Sequence, residues 1–277
     1  MQHTTSSFKT SDGLKIHTES WLPDGEPKAV VLIVHGYAEH IGRYAHVAER
    51  LVERGYAVYG LDHRGHGSSE GLRAHFDSFH QPVNDLKQYY DQIKAQHPAR
   101  KTFLWAHSMG SLIGLTFALR YQDELAGMVV TGTAVDGDAT QPAAMIAIGK
   151  VLSKIVPKLA LIPALPASAL SHDPAVVAAY DSDPLNYRGA FRIGIGSLLI
   201  AAGQNLRARA RELRIPVIFM HGSDDPVVPK SGSEYMYMSA SSSDKTLQIY
   251  PGLLHEVHNE LEKDTVLTDA LNWLDQH

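Results

Sequence analysis

The clearest indication of the fold class is the stretch Ala106-His107-Ser108-Met109-Gly110, which lies between an apolar strand and an apolar helix. Small residues at both ends of this stretch suit a tight strand-to-helix turn, because the two positions pack against each other there. Such a turn presents a serine hydroxyl at the end of a sheet, so the pattern predicts a nucleophile. A serine beside a glycine is also a common helix cap, and the assignment of Ser108 therefore depends on its partners.

Strands and helices alternate on both sides of this turn. The run Ala29–Val34 is continuously apolar and β-branched, which is typical of a strand buried on both faces of a parallel sheet. Apolar spacing predicts a helix over Tyr44–Glu53 and a strand over Tyr56–Leu61, which together complete a β-α-β unit. Further elements are expected as helices over 83–96 and after Gly110, and as strands over 102–105, 128–131 and 215–220. The alternation predicts an α/β fold with a mostly parallel central sheet flanked by helices.

A serine nucleophile needs a base, and the base needs an acid that holds its tautomer. His255 follows a predicted strand and a turn, and it is the candidate base. Two carboxylates, Asp224 and Asp225, follow the late strand; Asp225 is preferred as the acid and Asp224 is the alternative, which could instead cap the loop. The order Ser, Asp, His is the one expected of the α/β-hydrolase fold.

Acyl transfer also needs hydrogen-bond donors for the oxyanion. In this fold they are the N–H after the nucleophile and one from the loop after an early strand, which here are Met109 and Tyr37. Gly36 allows the early loop to turn tightly enough to aim an amide inward.

The alternation breaks between Ala134 and Asn205, where the chain is apolar and rich in alanine and proline. We interpret 134–205 as an inserted helical cap, or lid, and 1–133 with 206–277 as the α/β-hydrolase core. Because the insertion leaves the sheet shortly after the nucleophile, it would cover the carboxyl ends of the strands, where such sheets bind ligands. Ordinary helical packing without a function is the alternative.

Composition limits the function classes. The 277 residues carry a net charge of −5, which provides no basic field for nucleic acid. There is no cysteine, so disulfides and thiolate chemistry are excluded. The first nine residues are polar and no apolar run reaches the length of a membrane span, so we expect a cytoplasmic protein.

Three stretches resemble the monoacylglycerol lipase (monoglyceride lipase) family: His35–Tyr44, Leu61–Gly71 and the serine turn. The likeness covers nearly the whole chain. Further matching stretches are Tyr180–Leu185, Asp244–Tyr250 and His255–Glu260.

The resemblance implies a triad of Ser108, Asp225 and His255, with oxyanion amides on Tyr37 and Met109. Family positions that line the polar, glycerol end of the pocket fall on five polar residues here, namely Glu39, Arg43, His107, Tyr180 and His258. Alternatives are that Arg43 and Glu39 pair with each other and that His107 is a fixed part of the turn.

The chain departs from the family pattern at two positions. Ala106 replaces a glycine, and Tyr37 stands where many relatives have a smaller residue. The stretch Asp62–Gly71 is expected to form a buried structural turn.

These features predict a serine ester hydrolase that cleaves monoacylglycerols to glycerol and fatty acid and requires neither a metal nor an organic cofactor. A lysophospholipase or general carboxylesterase would use the same triad, and a non-catalytic binding module would have lost part of it. The partner is a small lipid ester. The apolar run Leu159–Leu165 in the insertion predicts weak peripheral contact with a membrane.

Overall fold

A large twisted sheet forms the centre of the protein. The computed structural model describes residues 1–139 and 142–277. In chain order the strands are β1 (Gln2–Lys9), β2 (Lys15–Leu22), β3 (Ala29–Val34), β4 (Tyr56–Leu61), β5 (Thr102–His107), β6 (Gly127–Thr131), β7 (Ala160–Ile162), β8 (Phe191–Arg192), β9 (Val217–Gly222) and β10 (Lys245–Tyr250). Eight of them form the central sheet in the order β1-β2-β4-β3-β5-β6-β9-β10, and the six from β4 to β10 are parallel.

Helices cover both faces of the parallel strands. In chain order the helices are α1 (Ala45–Glu53), α2 (His80–Gln96), α3 (Met109–Tyr121), α4 (Ala143–Ile155), α5 (Pro174–Ser182), α6 (Ile193–Arg209), α7 (Ser231–Ser239) and α8 (Lys263–Gln276), of which α4, α5 and α6 lie in the segment between β6 and β9. Val31 and Ile33 of β3 pack with α1 and α8, whereas Val30 and Leu32 pack with α2 and α3. Neighbouring side chains of a strand point to opposite faces, so β3 needs apolar residues at every position in order to be buried on both faces.

The predicted strands at Ala29–Val34 and Tyr56–Leu61 are confirmed at both ends. The late strand spans Val217–Gly222 rather than 215–220. Pro216 has no N–H to donate to a neighbouring strand, which explains the later start.

The sequence analysis predicts neither of the first two strands. β1 and β2 form an antiparallel hairpin that pairs with β4 at one edge of the sheet. β1 is exposed except at half-buried Phe8, whose ring stacks on Tyr89 with 5.6 Å between centroids. A polar edge strand lacks the apolar signal used to predict strands and also discourages pairing with other chains.

The segment between β6 and β9 contains α4, α5 and α6, as well as β7 and β8, which pair antiparallel. No residue of α4 is buried. α6 continues through Asn205 to Arg209, so the boundary predicted after residue 205 falls inside a helix. Thr140 and Gln141, within the predicted insertion, lie outside the described residues. Among the helices that are described, none has the length and apolar character needed to cross a bilayer.

Candidate active site

Ser108 lies in the turn between β5 and α3. Its φ is 53° and its ψ is −120°, a conformation that is unfavourable for a residue with a Cβ atom. A Cβ atom on Gly110 would collide with the carbonyl oxygen of Val34, so glycine is required two residues after the serine. Backbone strain of this kind clusters at functional sites.

Three of the predicted residues form one hydrogen-bonded chain. Ser108 Oγ donates to His255 Nε2 at 2.8 Å, and His255 Nδ1 donates to Asp225 Oδ2 at 2.7 Å. Asp225 Oδ1 accepts from the N–H groups of Val227 at 2.8 Å and Val228 at 3.0 Å. These amides fix the carboxylate, and the order of groups is that of a nucleophile, a base and an orienting acid.

Asp224, the alternative acid, does not contact the histidine. It is exposed, its Oδ1 accepts from Ser223 Oγ at 2.6 Å, and its N–H donates to the carbonyl of Leu253 at 3.1 Å. The structure therefore brings Asp225, and not Asp224, to His255.

The surroundings of the pair favour an ionised aspartate and a basic histidine. Burial disfavours the charged form of Asp225, but His255 and His221 outweigh it and hold the pKa of this carboxyl well below its usual range. His221 Nε2 lies 3.1 Å from Asp225 Oδ2. Burial lowers the pKa of His255, but Asp225 overcomes that effect, so the net shift of the pKa is upward.

Ser108 and His255 open onto a cavity of about 930 Å³. Its wall includes apolar side chains from the segment between β6 and β9, among them Met145, Ile148, Leu152, Leu165, Leu199 and Ile200. Tyr37 and Met109 line it as well. Within the described ranges, the N–H groups of these two residues donate to no other residue. Met109 is the first residue of α3, where amides have no acceptor inside the helix.

A buried charge network lies beside the cavity. Arg43 donates to Glu39 Oε2 at 2.6 Å and to both carboxylate oxygens of Glu256 at 2.7 Å. Glu39 Oε1 accepts from the N–H of Gly36 at 2.6 Å and from the Tyr44 hydroxyl at 2.8 Å. The pairing of Arg43 with Glu39 that the sequence left open is present.

This network joins the two loops that flank Ser108. Glu39 lies two residues after Tyr37, and Glu256 directly follows His255. Burial raises the pKa of Glu39, whereas Arg43 overcomes burial at Glu256 and lowers its pKa to about 2. Arg43 is not among the residues that line the cavity, so it affects the site through its contacts with Glu39 and Glu256, which do line it.

Three of the five residues assigned to the polar end line the cavity, namely Glu39, His107 and Tyr180. The Tyr180 hydroxyl donates to the carbonyl of Ala38 at 3.4 Å, and its ring lies 4.9 Å from the guanidinium carbon of Arg43. The helix α5 therefore rests on the loop that carries the Tyr37 amide.

His258 lies behind His107 and outside the cavity lining. Its ring centroid is 5.1 Å from that of Tyr44 and 4.8 Å from that of His107. Burial lowers the pKa of His258 to about 3 and holds the pKa of His107 well below its usual value. Both rings are thus neutral near pH 7.

Residues 62–71 form a turn that does not reach the cavity. The Asp62 carboxylate accepts from the N–H groups of Ile41 at 2.8 Å and Ser68 at 2.7 Å. These contacts hold the start of the loop that contains Arg43, which agrees with the structural role expected for this stretch.

Two buried carboxylates near the site were not predicted from the sequence. Glu256 and Glu260 lie within the stretch His255–Glu260 and are 2% and 0% exposed. A glutamate in a loop normally faces solvent, so only its proximity to His255 could have drawn attention to either.

Comparison with known proteins identifies the family of this chain. A family model described as serine aminopeptidase, S33, matches residues 25–262. The monoacylglycerol lipase of Mycolicibacterium smegmatis is 40% identical over 98% of this chain and 96% of its own length. The monoglyceride lipase of Homo sapiens is 34% identical over 96% of this chain and 88% of its own.

A solved structure shares the whole architecture. A soluble variant of the monoglyceride lipase from Saccharomyces cerevisiae, in complex with a substrate analog, superposes with a TM-score of 0.87 at 25% identity, covering 98% of this chain and 94% of the other. The chain therefore belongs to the monoglyceride lipase family of α/β-hydrolases, and it is a serine hydrolase that cleaves carboxylic esters.

Proposed function

We propose that the protein hydrolyses monoacylglycerols to glycerol and a free fatty acid through an acyl-enzyme on Ser108. His255 Nε2 takes the proton of Ser108 as Oγ attacks the ester carbonyl, while Asp225 holds the imidazole tautomer and stabilises its positive charge. The tetrahedral intermediate breaks down as His255 gives that proton to the leaving glycerol oxygen. Water, deprotonated by His255, then attacks the acyl carbon. The bond from this carbon to Ser108 Oγ breaks, His255 returns the proton to Oγ, and the fatty acid is released.

The N–H groups of Tyr37 and Met109 would stabilise the oxyanion. Both residues line the cavity that Ser108 faces, and both amides are free to donate to a ligand. Donors that are fixed before the reaction need no reorganisation as charge develops, which is why such sites stabilise the transition state.

The hydrogen-bonded chain from Ser108 through His255 to Asp225, placed at an apolar cavity, carries this proposal. The cavity's apolar wall suits a long acyl chain, and the names of the relatives point to the same substrate class. A single-chain lipid ester fits both features.

The charges beside the site favour glycerol over a phosphate as the leaving group. Glu39 and Glu256 both line the cavity, and one arginine, Arg43, lies between them. The network therefore has a net charge of about −1 when both carboxylates are ionised, and it would repel a phosphate held near it. We therefore prefer monoacylglycerols to lysophospholipids as substrates.

We further propose that residues 134–205 act as a cap over the cavity and touch lipid surfaces weakly. Apolar side chains are exposed on this segment, including Val151 at 59%, Ile155 at 71% and Leu161 at 62%. They include part of the run Leu159–Leu165, in which the side chain of Ile162 lies outside the described residues. An exposed apolar surface beside the mouth of a lipid site suits extraction of a substrate from a bilayer.

Hydrolysis rates across a substrate panel test the proposal. Monoacylglycerols should be turned over faster than lysophospholipids, triacylglycerols and short-chain esters, and Ser108→Ala should abolish turnover and labelling by a serine-directed phosphonate. Labelling of that variant would disprove the role of Ser108. A preference for lysophospholipids or short esters would leave the triad but replace the substrate.

A further inference from the structure

Glu260 is a fully buried carboxylate five residues after His255. Its Oε1 accepts from the N–H of Leu254 at 2.8 Å and from His172 Nδ1 at 3.0 Å. Its Oε2 accepts from the N–H of His172 at 2.8 Å and lies 3.1 Å from Ser171 Oγ, whose one proton is shared with the carbonyl of Asn259 at 3.0 Å. A carboxylate offers about four acceptor positions, and each has a donor within hydrogen-bond distance here. No lysine or arginine in the described ranges lies within salt-bridge distance of it.

These contacts hold the backbone on both sides of His255. Glu260 binds the N–H of Leu254, directly before the histidine. The N–H of Glu256, directly after it, donates to the carbonyl of Leu170 at 2.8 Å. Leu170 is followed by the two residues that bind the other oxygen of Glu260. One side chain thus fixes the peptide before His255 directly and the peptide after it through the segment 170–172.

We propose that Glu260 is a positioning residue that sets the orientation of His255 towards Ser108. The inference rests on the proposed role of His255 as the general base. Glu260 does not line the cavity, so it touches no substrate and acts only through the histidine loop. A buried carboxylate is costly unless its hydrogen bonds are satisfied, and the four donors to Glu260 meet that condition while fixing the loop.

The variant Glu260→Gln tests this with little change of volume. Its amide group must place an NH2 against a backbone N–H, either of Leu254 or of His172, so one of the two bonds is lost. Small misplacement of a catalytic group costs up to about 100-fold in rate. We expect kcat on a soluble p-nitrophenyl ester to fall about 10- to 100-fold with KM changed less than twofold. The control is Glu262→Gln, an exposed change on the same loop, which should leave both constants unchanged.

Rates are divided by the concentration of active sites, which is titrated to completion with a phosphonate. A smaller amount of folded enzyme is then not mistaken for a lower kcat. A kcat within twofold of wild type, or a loss expressed mainly in KM, would overturn the inference. If Glu260→Gln does not fold, Ser171→Ala keeps the charge of Glu260 and removes the Ser171 Oγ contacts with Glu260, with the carbonyl of Asn259 and with the N–H of Asp173. It should lower kcat about two- to fivefold, and an unchanged kcat then decides against the inference. Activity that survives in Ser108→Ala would instead count against the proposed function itself.

Discussion

The methyl group of Ala106 faces Gly114 across the turn between β5 and α3, and a Cβ atom added to Gly114 would lie 2.9 Å from it. The glycine missing from the first position of the serine turn is therefore balanced by a glycine within the following helix. The close approach of strand and helix is thereby kept.

The contact between Ala106 and Gly114 predicts that Gly114→Ala changes the free energy of unfolding in opposite directions in wild type and in an Ala106→Gly background. In wild type, Gly114→Ala should lower the free energy of unfolding by about 1 kcal/mol, because overpacking at about 1–3 kcal/mol exceeds the gain in helix propensity of about 1 kcal/mol. In an Ala106→Gly background the same change should stabilise, since the helix gains and the clash with Ala106 is absent. Met128 Cε, 3.3 Å from the added atom, is the end of a flexible side chain that can move aside. Denaturant unfolding of the four proteins measures the coupling. Additive effects would show that the two positions do not share one space.

The two aspartates of the late loop should differ sharply. Asp225→Asn should reduce turnover on the order of 10⁴-fold, because an amide in place of the carboxylate favours the wrong tautomer of His255. Asp224→Asn should retain turnover within about threefold, since that side chain binds only Ser223. Steady-state rates on one ester compare the two variants, and a larger loss for Asp224→Asn would reverse the assignment.

The acid limb of the pH profile should report His255. The base must be neutral in the free enzyme, and Asp225 raises its pKa, so kcat/KM should fall as pH drops through a midpoint above the ordinary histidine value of about 6.5. His107 and His258 should not contribute, because burial keeps both rings neutral over this range. A one-proton limb is therefore expected. A midpoint below 6.5, or a two-proton slope, would contradict the geometry.

The sequence could predict the parts of the site that depend on local pattern. Ser108 is marked by its turn, and His255 and Asp225 by their places after strands and by their order in the chain. Glu256 and Glu260 could not be found in this way, since their burial results from contacts with Arg43 and with residues 171–172, far away along the chain. Long-range contacts of this kind leave no local pattern.

The same limit applies to the fold. The buried parallel strands were predicted because an apolar β-branched run such as Ala29–Val34 has few other structures open to it. The hairpin of β1 and β2 has no such run, because β1 is polar and β2 mixes polar and apolar residues, so the pattern does not predict it. The resemblance to the family, rather than the pattern, indicated the polar end of the cavity.

The exposed face of α4 allows a test of membrane contact that spares the cavity. Val151 and Ile155 are exposed and one helical turn apart, and neither lines the cavity. Replacing both with serine should reduce binding to phosphatidylcholine vesicles about tenfold, because less apolar surface is transferred from water. Turnover of a soluble short ester should not change. Met238→Ser, which changes an exposed residue of α7, is the control. Equal vesicle binding by wild type, the double variant and Met238→Ser would count against this surface.

The polar end of the cavity should select esters that keep free hydroxyl groups. Glu39, His107 and Tyr180 line it, and the two free hydroxyls of a monoacylglycerol can add hydrogen bonds to the partners that these groups have within the protein, whereas a triacylglycerol has no hydroxyl to donate. A hydrogen bond that only the monoacylglycerol can make is worth about 0.5–1.5 kcal/mol, or about 1.5–3 kcal/mol to a charged group, so two such bonds suffice for a large preference. Tyr180→Phe should accordingly lower kcat/KM on a monoacylglycerol about 3- to 10-fold. It should leave a p-nitrophenyl ester within about twofold, because the ring that contacts Arg43 is kept. Tyr235→Phe, which removes a hydroxyl outside the cavity, is the matched control. Parallel losses on both esters in Tyr180→Phe, or efficient hydrolysis of triacylglycerol by wild type, would argue for a general esterase, because neither result requires a site built to bind glycerol.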